Sequence, residues 1–493
     1  MKRLRMFTGI LAVALILLSP ISRASAASAE EERSGIQSID LMSNDTGISF
    51  GNSKRVRGLR FNFRDEGVEE VSGLNLTLWK PGENPDAVMK GLLLGIYGPS
   101  ADELHFLSAG IFTVEAFSRI SGIAVGGGAV ICEGEINGIS IGGLANVAGS
   151  MNGIALGGLA NVAEGGVNGV TVGGLANVAD GGVKGITLGG LANVAAGSVS
   201  GITLGGLANV AEGGMAGISL GGLANVAEGG VSGITLGGLA NVAEGGMAGI
   251  SVGGLANVAE GGMMGVSLGG LANVAEGGMT GISLGGLANV AEGDMKGISL
   301  GGLANVAEDG MTGISVGGLA LVSQGSILGL NAGGLAVLSE SSIAGITASL
   351  GGIDGRTTVA GITVGVLGAI SVEDVKEQDF RYTGIKARNA RWITAHGIDI
   401  DVEDELLGLA ASGIRINARR IKGFASSLVV TADEMRGLGI GAVNYTSGLQ
   451  VGLSIGIVNY TERLKGVQLG LVNIAKNKSK PFRVLPIMNA CFK

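Results

Sequence analysis

Val183-Lys184-Gly185-Ile186-Thr187-Leu188-Gly189-Gly190-Leu191-Ala192-Asn193-Val194-Ala195-Ala196-Gly197-Ser198 is one unit of a pattern that recurs, with small changes, across residues 137–370. The string GGLANVA occurs eleven times, beginning at Gly142 and ending at Ala307, and altered copies follow at Gly317 and Gly333. The asparagines from Asn146 to Asn305 stand 16 residues apart, with a single spacing of 15. Several glycines per unit would each cost a helix about 1 kcal/mol relative to alanine, which excludes a helical solenoid. Ile186-Thr187-Leu188 alternates apolar with polar and reads as a short strand. Glycine pairs such as Gly189-Gly190 and Gly213-Gly214 supply corners, because glycine accepts positive φ without a Cβ clash. The pattern therefore predicts an all-β solenoid of 16-residue coils stacked about 4.8 Å apart. The expected core lining is Ile186, Leu188, Leu191 and Val194, closed by Val183 or Met215, with Leu223 in the same buried column. No single coil buries such a set alone, so stacking creates the core. The chemically identical links between strands favour parallel stacking.

Outward from the array, Arg57-Gly58-Leu59-Arg60-Phe61-Asn62-Phe63 and Ser72-Gly73-Leu74-Asn75-Leu76-Thr77-Leu78-Trp79 alternate as diverged strands, and residues 56–136 read as a capping segment. Residues 371–436 are more charged, and irregular β-structure is expected there. Residues 437–493 carry a second repeat class, GLGIGAVNYTS at Gly437, GLSIGIVNYTE at Gly452 and GVQLGLVNIAK at Gly466. At the other end, Lys2, Arg3 and Arg5 precede an almost wholly apolar run to Ile21, and small residues at Ala24-Ser25-Ala26 and Ala27-Ser28-Ala29 offer cleavage sites. That is the pattern of an export signal over residues 1–26, with a mature chain from about Ala27 and a flexible segment over residues 27–55. No cysteine stands near the cleavage site to carry a lipid.

The terminal copies, with the closing Pro481-Phe482 to Phe492, resemble the bacterial surface-repeat proteins built from G-x-x-x-G-L-V-N units, as do the entry strands GLRFNF and GLNLTLW. The resemblance implies an exported, surface-associated protein and brings no catalytic residues with it. The central copies depart from the family pattern by reading G-G-L-A-N.

The formal charge is −8, and losing the four basic residues of the leader takes it to −12, which disfavours a nucleic-acid partner. Glycine, at 95 of 493 residues, far exceeds the usual ~7%, yet 46% of residues are apolar, unlike disordered chains. Cys132 and Cys491 are the only cysteines, enough for one bridge and no more.

Three columns recur with the period. Asn177, Asn193, Asn209, Asn225, Asn241, Asn257, Asn273, Asn289 and Asn305 are expected to form a structural amide ladder, as stacked amides do in cross-β assemblies. Glu212, Glu228, Glu244, Glu260 and Glu276, within a row from Glu164 to Glu308, read first as a solvated edge. Adjacent carboxylates at ~5 Å repel by about 0.8 kcal/mol in water, so calcium is the one cofactor the row suggests, although the known calcium nonapeptide is not matched. The Ser/Thr column, Ser140 and Thr171 to Ser315, follows β-propensity, with ice binding a remote alternative.

Catalysis has little to work with. His105 and His396 are the only histidines, and no nucleophile–base arrangement, metal pair or phosphate loop surrounds them. Trp79 and Trp392 are expected to pack within caps. The sequence thus points to a non-enzymatic exported scaffold, spacer or adhesin-like surface with a protein or cell-surface partner. The alternative is an outer-membrane β-barrel, a channel or pore, with one strand per unit. Phe492 near the C-terminus suits it, but no aromatic residue lies between Phe117 and Phe380 to build interfacial girdles.

Overall fold

The computed structural model describes residues 38–367, 369–373 and 379–492, which build a β-solenoid of about 25 stacked coils with a 16-residue period. The expected leader, residues 1–26, and the following stretch to residue 37 lie outside the described residues. In the array each coil contributes a seven-residue strand such as Val183–Gly189 and a four-residue strand such as Ala192–Ala195. Each pairs in parallel with its equivalent one period on, Thr187 opposite Thr203 and Asn193 opposite Asn209. The corners are bonded as well: the Leu191 N–H donates to the Leu175 carbonyl at 2.7 Å, so tight glycine turns leave few backbone groups unpaired. This topology replaces the barrel alternative. Membrane barrels of this kind join antiparallel neighbours through hairpins, whereas here successive units are parallel neighbours around a filled interior.

One glycine per coil explains why the stack holds register. Gly185 has φ +115°, and a Cβ there would fall onto the carbonyl oxygen of Gly169 in the preceding coil. The same position runs from Gly47 through Gly58, Gly73 and Gly91, along the whole array, to Gly408, Gly423, Gly437, Gly452 and Gly466. Only two members of this column are not glycine, Phe106 and Trp392, and both keep φ +82°. Terminal and central units therefore share one frame, and Asn444 of GAVN occupies the asparagine column after one residue fewer.

Residues 371–436 are more regular than expected. Ile385–His396, Asp399–Ser412, Arg415–Ser426 and Val429–Ile440 continue the parallel stack. Charge does not disturb them because it points outward, where Arg419 pairs with Asp404 at 2.6 Å and Lys422 with Glu405 at 2.6 Å. The excursion is brief, an antiparallel pair of Ala369–Glu373 with Asp379–Thr383. Both ends close with an antiparallel strand: Ser38–Ser43 against Thr46–Gly51, and Val484–Cys491 against Val458–Ala475. Inside the first coils, fully buried Arg60 pairs with Asp65 and donates to Asn75 Oδ1 at 2.8 Å and Asn52 Oδ1 at 2.9 Å. Those partners are what make a buried charge tolerable.

The facing of the strands is the main correction. Val183 and Met215 do lie inside, with Thr187, Gly189, Asn193 and Ala195. Ile186, Leu188, Leu191 and Val194 point outward, and Ile186 is 39% and Leu191 46% exposed. Leu223 is exposed to the same degree. The two facings differ by one residue of strand phase, and interior clearance chooses between them. At Gly189 an added Cβ would lie 2.6 Å from Asn193 Oδ1, so the inner corner admits no side chain. One large residue per coil, valine or methionine, fills the remaining width.

Candidate interaction surface

The outward phase gives the solenoid two unlike edges. On one, the Gly-Gly-Leu corner projects a leucine from each coil beside a groove floored by the glycine pair. Leu188, Gly189, Gly190 and their equivalents line about 830 Å³ of open groove between residues 172 and 254. The same corner carries a second groove of about 610 Å³ at Leu428, Ile440, Gly441, Ile455, Ile457 and Leu469. Large apolar residues also hold this edge near the N-terminus, where Phe63 stacks on Trp79 at 6.2 Å and Tyr97 meets Phe112 at 5.6 Å. Trp79 is thus exposed rather than packed inside a cap. Between residues 137 and 339 no charged side chain occurs at the Gly-Gly-Leu-Ala positions.

The opposite corner carries the carboxylates. Glu212, Glu228, Glu244, Glu260 and Glu276 are all exposed, one to a coil. Near the end of the row, Glu276, Glu292, Glu308, Asp294 and Asp309 surround a shallow polar groove in which Lys296 reaches Asp294 at 2.7 Å. Among the described residues no three His, Cys, Asp or Glu side chains converge as metal ligands.

The asparagine column lies inside. The Nδ2 of Asn177 donates to Asn193 Oδ1 at 2.8 Å and to the Leu188 carbonyl at 2.7 Å. The scheme repeats through Asn209, Asn225, Asn241, Asn257, Asn273 and Asn289 to Asn305. A second run joins Asn444 to Asn459 and Asn459 to Asn473, each at 2.8 Å. These amides are spent on scaffold bonds. The Ser/Thr column is likewise buried, so it presents no exposed hydroxyl row for ordering water against ice.

Four residues that stood apart in the sequence take plain roles. His396 is buried, its Nδ1 accepting from the Ile398 N–H at 3.0 Å while Nε2 faces the Leu367 carbonyl at 3.1 Å. This pairing orders a corner. His105 meets Glu103 at 2.8 Å on the outer face. Cys132 and Cys491 are free thiols, not a bridge, and burial pushes the Cys132 thiol up to about 11. Trp392, expected to pack within a cap, is instead 72% exposed in the glycine column, and Phe106, which sequence reading missed, is 74% exposed there. For Phe106 a signal was present, since Gly91 and Gly122 flank it at 15 and 16 residues, whereas Trp392 stands 31 residues after Gly361.

In comparisons with known protein families, curated proteins and solved structures, nothing matches the chain.

Proposed function

We propose that this protein is an exported, non-enzymatic scaffold of the cell envelope, a repeat solenoid that works through its surface. The observation that carries the reading is the parallel pairing of one positive-φ column from Gly47 to Gly466, in a stack that turns the recurring asparagines and hydroxyls of the array inward and leaves long, repetitive strips outside. Such a body gains length by whole-unit duplication without changing its neighbours' contacts. The leader-like start and the likeness of the terminal repeats to bacterial surface-repeat proteins support export.

Fractionation of cells producing the full chain tests the proposal, with carbonate and urea washes of the outer membrane before any detergent. Release by the washes or into the medium, with an N-terminus near Ala27, is the expected result. Retention in the cytoplasm with the leader uncut overturns export. Retention in the membrane until detergent overturns the water-soluble solenoid.

A further inference from the structure

We infer that the Gly-Gly-Leu edge is a homodimer interface, covered by the same edge of a second copy of this chain. The inference rests on coil geometry and is independent of where the protein resides.

Ridge and groove lie side by side on this edge. Leu191, Leu207, Leu223 and Leu239 form the ridge, each about half exposed, and the Gly189-Gly190 pair and its equivalents floor the groove next to it. Both features come from the same coil, so they share one period along the stack. A two-fold axis parallel to the solenoid lays the ridge of each copy into the groove of the other. Every coil then meets an equivalent coil in register, an isologous contact that closes at two copies. The interface is dry and interdigitated in the manner of paired β-sheets. Size and charge agree with this occupant. Thirteen Gly-Gly-Leu coils each add a half-exposed leucine and its glycine pair to the strip, so a standard interface of ~800 Å² per partner needs only about 60 Å² from each coil. An apolar strip of that extent exceeds what monomeric proteins usually leave in water. The carboxylates stand at the far corner, so the two copies do not bring their acidic rows together, and that row opposes association through the other edge.

Sedimentation equilibrium of the purified full chain without detergent is the test. A mass of two copies at micromolar concentration is expected. The triple variant Leu207→Ser, Leu223→Ser, Leu239→Ser should weaken dimerisation at least 100-fold while leaving the β-sheet circular dichroism of the wild type. The control Glu228→Gln, Glu244→Gln should remain dimeric. A wild type that stays monomeric up to 100 μM overturns the inference, as does a dimer that the leucine variant leaves intact. A monomer that instead binds neutral phosphatidylcholine vesicles, losing this with the leucine substitutions, assigns the edge to lipid and overturns it equally.

Discussion

The coils that carry Asn146 to Asn305 and the coils that follow them are the same backbone around different cores. In the first, the inner column is a chain of amides; in the second, Leu321, Val337, Ile353, Ile385, Ile400, Ile416 and Val430 occupy the same positions, before asparagine returns at Asn444. A buried amide must be paired with its neighbours or left costly, whereas an aliphatic residue needs only volume. Parallel pairing continues through both kinds of core, and so does the positive-φ column. The coil is therefore set by the backbone and its glycines, and the interior chemistry is a later choice within that frame. Asparagine adds direction to the choice: each amide donates toward the next coil, so a shifted unit breaks two bonds at once.

If the glycine column is what both regions share, breaking it should cost more than changing either core. Gly233→Ala puts a Cβ onto the Gly217 carbonyl at φ +101°, and a loss of about 3 kcal/mol or more is expected, read as a fall in denaturant midpoint. A change below 1 kcal/mol would mean that the stack relaxes freely at this position. The next largest effect concerns the amide core itself. Asn225→Leu strips a partner from both Asn209 and Asn241 and should destabilise by about 2–4 kcal/mol. Within the ladder, Asn305→Leu, beside the natural Leu321, strips a partner only from Asn289 and should cost about 1 kcal/mol less, the worth of one amide–amide bond. Equal losses in thermal unfolding would show that the ladder carries no cooperative load.

The two exceptions in the column sharpen the same point with the opposite sign. Phe106→Gly and Trp392→Gly relieve a left-handed conformation that L side chains resist, and each should stabilise by about 1 kcal/mol in chemical denaturation. A loss instead would show that the exposed rings hold something in place. The smallest expected effect lies in the aliphatic-core region, whose outer face is more charged. The hydrogen bond from Lys422 holds the Glu405 carboxyl below the usual glutamate range, against a small opposing effect of burial. A carboxylate depressed in the folded state stabilises above its unfolded pKa and loses that contribution as pH falls through the folded value. Acid titration below about pH 4 should therefore lower the melting temperature slightly more in the wild type than in Glu405→Gln. Parallel curves would remove the pair from the account.

The sequence of the array carries its period, its strands and its buried asparagines in local form, because each follows from residue type and spacing within one unit. GGLANVA reads as corner, strand and ladder without reference to anything distant. Residues 385–440 were harder to read because their charges mask the repeat: Arg391, Arg419 and Lys422 sit on outward positions of ordinary coils. The site was harder still. Exposed leucines and buried asparagines invert the usual expectation, and the pattern of alternation is the same for either facing.

By itself, then, the sequence determined a 16-residue all-β unit, its repetition and the pairing of like with like. The tertiary structure decided which side of each strand is inside and that the divergent ends belong to the same stack. The reason is steric. Alternation leaves two phases one residue apart, and only the folded coil reveals that the corner at Gly189 has no room for a side chain while the opposite face does.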